Sequence, residues 1–242
     1  MIAVLIAIQL SAGAVVARVK EGDLKISDLQ AHARLEIVSA GETKSRSFDL
    51  LLKRDGVDYR ALIVMRKPET MEGTTFLVHA ARGKKNREWA YFPDLDLVRE
   101  IAGTNQDDSF LGSDITYGDL AGGAHLDDLL HRLVGEDTVD GAPCYVMEGV
   151  PRHDIAYGKL RGWVRKEDFV TVKAQFFDDA GALMKEARIT DIRELDGGAK
   201  LGHRIELVNA AAESRTVLTF SDVVINQGLS DERFREESLP GR

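Results

Sequence analysis

Cysteine is almost missing: Cys144 is the single one in 242 residues. One thiol cannot close an intramolecular disulfide, so cysteine usage leaves the redox compartment open. Cys144 sits in Pro143-Cys144-Tyr145-Val146-Met147, which reads as a strand with the thiol as a small buried hydrophobe. Basic charge is also short. Lys and Arg total 32 against 40 Asp and Glu, for a net charge of −8 and a pI near 5.3. That balance argues against a nucleic-acid binder and gives no broad cationic face for anionic membranes.

Catalytic and nucleotide motifs are missing too. There is no G-x-S-x-G elbow, no P-loop and no G-x-G-x-x-G. The six histidines are His32, His79, His125, His131, His153 and His203. Only His125-Leu126-Asp127-Asp128 with His131 groups ligand-type residues, and its spacing differs from that of H-E-x-x-H. Asp107-Asp108 and Asp178-Asp179 read as turn formers. Neither metal, cofactor nor catalytic residue is expected, and the chain reads as a non-enzyme. No βαβ rhythm is visible, so a parallel sheet is not expected.

Hydrophobic residues make up 44% and charged residues 30%, enough for one domain with a sizeable core. Met1–Ala17, MIAVLIAIQLSAGAVVA, is apolar and short for a membrane span. It reads as an export signal, with Ala12-Gly13-Ala14 and Val15-Val16-Ala17 as candidate cleavage signals and no lysine or arginine at its start. No later window approaches the roughly 18 apolar residues of a spanning helix, so residues 18–242 are expected as one soluble domain.

Val19–Gln30 suits a short helix. From Ala31 the period becomes two. Ala33, Leu35 and Ile37 share a face; Phe48, Leu50 and Leu52 follow; then Tyr59, Ala61, Ile63 and Met65. Strand-like runs recur at Thr74–Ala80, Lys159–Arg165, Val170–Phe177, Leu183–Glu194, Leu201–Asn209 and Thr216–Ile225. Asp55-Gly56 and Asp140-Gly141 are hairpin signals. Leu126–Val134 suits helix or strand, and Ser230 opens a short C-terminal helix. The pattern predicts a mainly β, all-antiparallel sheet. Several strands are apolar on both faces: Leu218 and Phe220 oppose Val217, Val223 and Ile225, and Leu62 and Val64 oppose Tyr59, Ile63 and Met65. A sheet with one wet face alternates more cleanly, so something must cover the second face.

The densest signal is WAYFPDLDLVREIAGTNQDDSFLGSDITYGDL, Trp89–Leu120. An aromatic strand is broken by Pro93, a short alternating segment leads through Arg99 to Ile101, and a polar loop precedes Ser109-Phe110-Leu111-Gly112-Ser113-Asp114. Phe110 and Leu111, set among Asp, Ser and Gly, need a hydrophobic host. Ser113 or Asp114 suits the cap of a short helix through Leu120.

Trp89, Tyr91, Pro93, Val98, Arg99, Ile101, Gly103, Ser109, Phe110, Gly112, Ser113, Asp114, Tyr117, Asp119 and Leu120 form a pattern that resembles the LolA-like outer-membrane lipoprotein-sorting proteins. The resemblance implies a curved antiparallel half-barrel covered by a few short helices, with space between them for acyl chains. It further implies a monomeric periplasmic carrier that moves lipoprotein or lipid chains towards the outer membrane. Its partners would be an inner-membrane exporter and an outer-membrane acceptor, with no nucleic acid. The alternative is a non-catalytic accessory or interaction subunit of an envelope export complex. Trp89, Tyr91, Phe92, Phe110, Leu111, Tyr117, Trp163 and Phe220 are the expected cavity or lid residues. Arg99 is the expected latch between lid and sheet.

Overall fold

The computed structural model describes residues 10–56, 58–81, 87–101, 108–116, 119, 126–152 and 157–240. After helix α1 (Ala12–Asp23) come six strands: β1 (Asp28–Ser39), β2 (Glu42–Asp55), β3 (Asp58–Lys67), β4 (Thr75–Ala80), β5 (Arg87–Phe92) and β6 (Leu97–Glu100). Seven more follow: β7 (Leu129–Val139), β8 (Ala142–Pro151), β9 (Lys159–Arg165), β10 (Thr171–Phe177), β11 (Leu183–Glu194), β12 (Lys200–Asn209) and β13 (Ser214–Ile225). All pair antiparallel in one open, curved sheet of order β6-β5-β4-β3-β2-β1-β13-β12-β11-β10-β9-β8-β7.

Two hairpins show why the turns form where they do. Ala40-Gly41 and Asp140-Gly141 place positive φ at both central residues (51° and 78°, 50° and 82°), the geometry whose twist matches antiparallel strands. Gly202 answers a different need: a Cβ there would stand 2.2 Å from Ile189 Cγ2, so only glycine lets β12 lie this close to β11.

The strand order has one large consequence. β6 and β7 follow one another in sequence but form opposite edges of the sheet. The connection between these edges lies, in its described residues 108–116 and 119, against one face. The register identifies which one. Ala33 pairs with Phe48, Phe48 with Met65, Ile63 with Phe76 and Phe76 with Ala90. These residues, with Leu35, Leu207 and Leu218, form the largest core cluster, and Phe110, Leu111 and Ile115 of the connection join it. α1 lies on the same face further along. Val15 is fully buried against Met147 and Val164, and Lys20 of α1 binds Asp127 at 2.7 Å. This inner face is covered by α1 and by residues 109–116 and 119 of the connection, hereafter the lid.

The outer face of β2–β5 is covered separately. Leu229, Phe234 and Leu239 of the C-terminal tail pack over Leu51, Leu62, Leu77 and Trp89. The tail is pinned where Asp28 accepts from the backbone N–H groups of Gln227 (2.8 Å) and Gly228 (2.9 Å). It is held again where Arg60 reaches Asp231 at 2.6 Å. Strands apolar on both faces thus have two different covers, one for each side.

Several local expectations change. The first helix begins at Ala12, capped by Ser11, whose hydroxyl accepts from the Ala14 N–H at 3.2 Å. It ends at Asp23, inside the Val19–Gln30 stretch expected to be helical, and Asp28–Gln30 already belong to β1. The segment expected as a leader lies partly outside the described residues, and its Ala12–Ala17 portion is the first half of α1. Leu126–Val134 resolves as a short 3-10 turn leading into β7. Ser230 does cap a helical turn, Asp231–Phe234.

Candidate functional site

The lid segment 109–116 folds on itself before it meets the sheet. Ser109 bridges Thr116, the Phe110 N–H donates to the Ile115 carbonyl at 2.7 Å, and the Ser113 hydroxyl donates to the Phe110 carbonyl at 2.7 Å. Local polar groups are satisfied within the loop, which frees its apolar side chains to point at the sheet. Phe110 is 1% exposed. Its ring meets Phe76 edge-on at 5.6 Å and Phe48 at 6.3 Å, geometries worth about 0.5–1.5 kcal/mol each beyond burial. Leu111 and Phe220 are half-buried against the same cluster. Phe110, Leu111 and Phe220 are therefore brought together in one packed cluster on the inner face.

The other candidates are not. Because strand neighbours look out of opposite faces, Ala90 takes the inner position and Trp89 the outer one. Trp89 is 1% exposed beneath the C-terminal tail. Tyr91 shares the outer side, paired with Thr75 and Val98, and its hydroxyl donates to Asp96 at 3.2 Å. Phe92 is 37% exposed at the strand end. Trp163 packs with Cys144, Val146 and Val172 on the outer side, and its indole N–H donates to Asp137 at 2.8 Å. Trp89, Tyr91 and Trp163 thus belong to the opposite side of the sheet from Phe110. Tyr117 lies outside the described residues. Arg99 is exposed and makes no hydrogen bond or ion pair with a described residue, so it does not form the expected latch.

The latch is built from other groups. Lys185 of β11 sits at an inner-face position, and its side chain is 5% exposed. Its ammonium donates to Asp119 at 2.6 Å and to the Asp114 carbonyl at 2.8 Å, and it lies 5.2 Å from the ring centres of both Tyr157 and Phe176. Asp119 also accepts from the Tyr157 hydroxyl at 2.9 Å and the Thr116 N–H at 2.8 Å. Asp114 accepts from the hydroxyls of Ser214 (2.5 Å) and Thr216 (2.7 Å) on β13. Two lid carboxylates are thereby tied to two strands. Lys185 could have been found in sequence: it shares period-two parity with Ala187 and Ile189, which puts a cation on an apolar face.

Beside the plugged centre, a cavity of about 550 Å³ remains beneath the C-terminal half of α1, within the range of small-molecule sites. Ile189, Leu201 and Phe169 form apolar wall, and charged groups stand at its rim. Among these, Asp168 is held by Arg165 and by Lys200 (3.0 Å). Burial works against its charge, yet those hydrogen bonds and the Arg165 charge outweigh it and bring its pKa down to about 2. Among the described residues, no group of three or more His, Cys, Asp or Glu could hold a metal ion. No helix of the described residues is long and apolar enough to cross a membrane.

A family model described as an uncharacterized protein matches residues 57–240, well over half of the chain. The chain belongs to that family. The family member is also LolA-like in fold. It is similar to a DUF1329 family protein from Desulfovibrio piger, with 28% identity, a TM-score of 0.87, and coverage of 96% of this chain and 100% of that one. It resembles an outer membrane lipoprotein-sorting protein domain from Vibrio parahaemolyticus at 23% identity and a TM-score of 0.86, covering 94% and 98% of the two chains. A LolA superfamily protein from Nitrosomonas europaea matches at 19% identity and a TM-score of 0.74, covering 96% and 100%. No curated protein sequence matches it.

Proposed function

We propose that this protein is a non-catalytic, monomeric periplasmic carrier. It would hold acyl chains of a lipoprotein or lipid between the inner face of its sheet and the lid, and pass them towards the outer membrane. The observation that carries this reading is Phe110: an apolar side chain on a polar crossing segment occupies the centre of the inner face. A chain entering there would replace Phe110 against Phe48 and Phe76, exchanging one apolar contact for another. Each methylene buried contributes about 0.8 kcal/mol, so a few partly buried chains give firm yet reversible holding. The latch at Lys185 would set the cost of opening. The lipoprotein-sorting role named for the Vibrio parahaemolyticus relative supports the same cargo class, with an inner-membrane donor and an outer-membrane acceptor as partners.

Export would require a leader. The candidate cleavage signals lie inside α1: cleavage after Ala14 would keep buried Val15, whereas cleavage after Ala17 would remove the half of α1 that packs on β8 and β9.

The test is lipid extraction and native mass spectrometry of protein recovered from its own envelope, with the mature N-terminus read from the same sample. Stoichiometric co-purified lipid and a start after Ala14 are expected. Lipid-free protein that also takes up no added fluorescent lipid would overturn the carrier reading and favour a protein-interaction subunit.

A further inference from the structure

The compartment beneath α1 carries an unevenly spent set of charges. Its cations are engaged: Lys200 holds Asp168 at 3.0 Å, Lys25 donates to the Gly198 carbonyl at 3.1 Å, and Arg18 pairs with Glu21 at 3.3 Å while lying 5.1 Å over the Phe169 ring. Asp23 is not engaged. No hydrogen bond or ion pair from a described residue reaches its carboxylate. Arg54 on β2 acts on it only through space, without an ion pair.

Asp23 is exposed and lines the cavity, yet enough protein surrounds it for burial to push its pKa above the usual carboxylate range. It stands at the mouth of the cavity, in contact with both lumen and solvent. A carboxylate so placed gains from a counter-ion delivered by a ligand. The C-terminus of α1 ends at the same rim, and the negative end of the helix dipole favours a cation there. Val19, Ile189 and Leu201 line the same space with hydrocarbon.

Resting on the carrier reading, we propose that this compartment receives the primary ammonium head of an amphiphilic ligand, with Asp23 as its counter-ion and the apolar wall beside it taking the start of the chain. The lid compartment would then hold chain, and the α1 compartment would choose by head group. The two halves of one inner face would divide affinity from specificity.

The test compares decylamine, decanol and decyl phosphate, each below its micelle concentration or solubility limit, titrated calorimetrically into the full chain and into Asp23→Asn and Asp23→Glu. Asp23 is exposed at a helix end, so both variants are expected to melt with the parent. Decylamine is expected to bind about tenfold tighter than decanol, the scale of one charge-assisted contact. Asp23→Asn should erase that preference and leave decanol unchanged, and Asp23→Glu should keep it. Equal affinity for amine and alcohol, an amine preference surviving in Asp23→Asn, or tighter binding of decyl phosphate would each overturn the ammonium site while leaving the carrier intact. Failure of all three to bind would remove both readings.

Discussion

The ammonium of Lys185 lies 2.6 Å from the carboxylate of Asp119, joining a strand in one half of the sheet to the segment that crosses it. Removing the cation by Lys185→Met leaves Asp119 with a partly buried, uncompensated charge, a loss of about 3–5 kcal/mol where such pairs are broken singly. Lys185→Met with Asp119→Asn should recover part of that loss. Urea unfolding measures the energies, and hydrogen exchange should show residues 109–116 opening sooner in the single variant. Unchanged exchange there would mean that the pair does not hold the lid.

Phe110→Ala empties the space between Phe48 and Phe76. Deleting a buried phenyl ring costs about 3–5 kcal/mol, and the vacated surface should bind an apolar dye such as ANS more strongly than the parent does. A variant with parental stability and parental dye binding would place Phe110 outside the working core.

Gly202→Ala should destabilise by about 1–3 kcal/mol, because the new methyl meets Ile189 Cγ2 at 2.2 Å. Combining it with Ile189→Ala should cost less than the two changes added. Thermal melts of the four proteins decide this, and strict additivity would show that the contact is not the cause.

Acid should weaken the protein through two carboxyls. Hydrogen bonds from Arg132 and Arg161 bring Glu148 down to about 2, and Asp168 is also at about 2. Both values are below those of the unfolded chain. Their stabilisation is therefore complete above roughly pH 5 and fades as pH falls through about 4 towards 2. Glu148→Gln and Asp168→Asn should each flatten the fall in Tm between pH 5 and pH 2. An unaltered slope in both would assign the acid sensitivity elsewhere.

Phe234→Ala should expose Trp89. In a Trp163→Phe background the emission of Trp89 should shift to longer wavelength, since the C-terminal tail is what covers it. A constant emission maximum would show that Leu229 and Leu239 suffice as cover.

The alternation of Ala33, Leu35, Ile37, Phe48 and Ile63, with turn residues at Asp140-Gly141, is enough by itself to set an antiparallel sheet. Side-chain period and turn geometry are local properties. The isolated Phe110-Leu111 pair likewise announced a covered apolar site, because two bulky side chains on a polar segment are costly in water. Which face is inner was beyond local reading. Trp89 and Ala90 are one residue apart, and when both faces of a strand are apolar the period is the same for either assignment. The choice came from long-range connections: β13 returning to β1, which sets β6 and β7 at opposite edges, and the C-terminal tail, which took the outer face and Trp89 with it. The latch was decided the same way. Lys185 and Asp119 meet only because the crossing segment spans the sheet, and a contact between residues 66 apart has no signature in either neighbourhood alone.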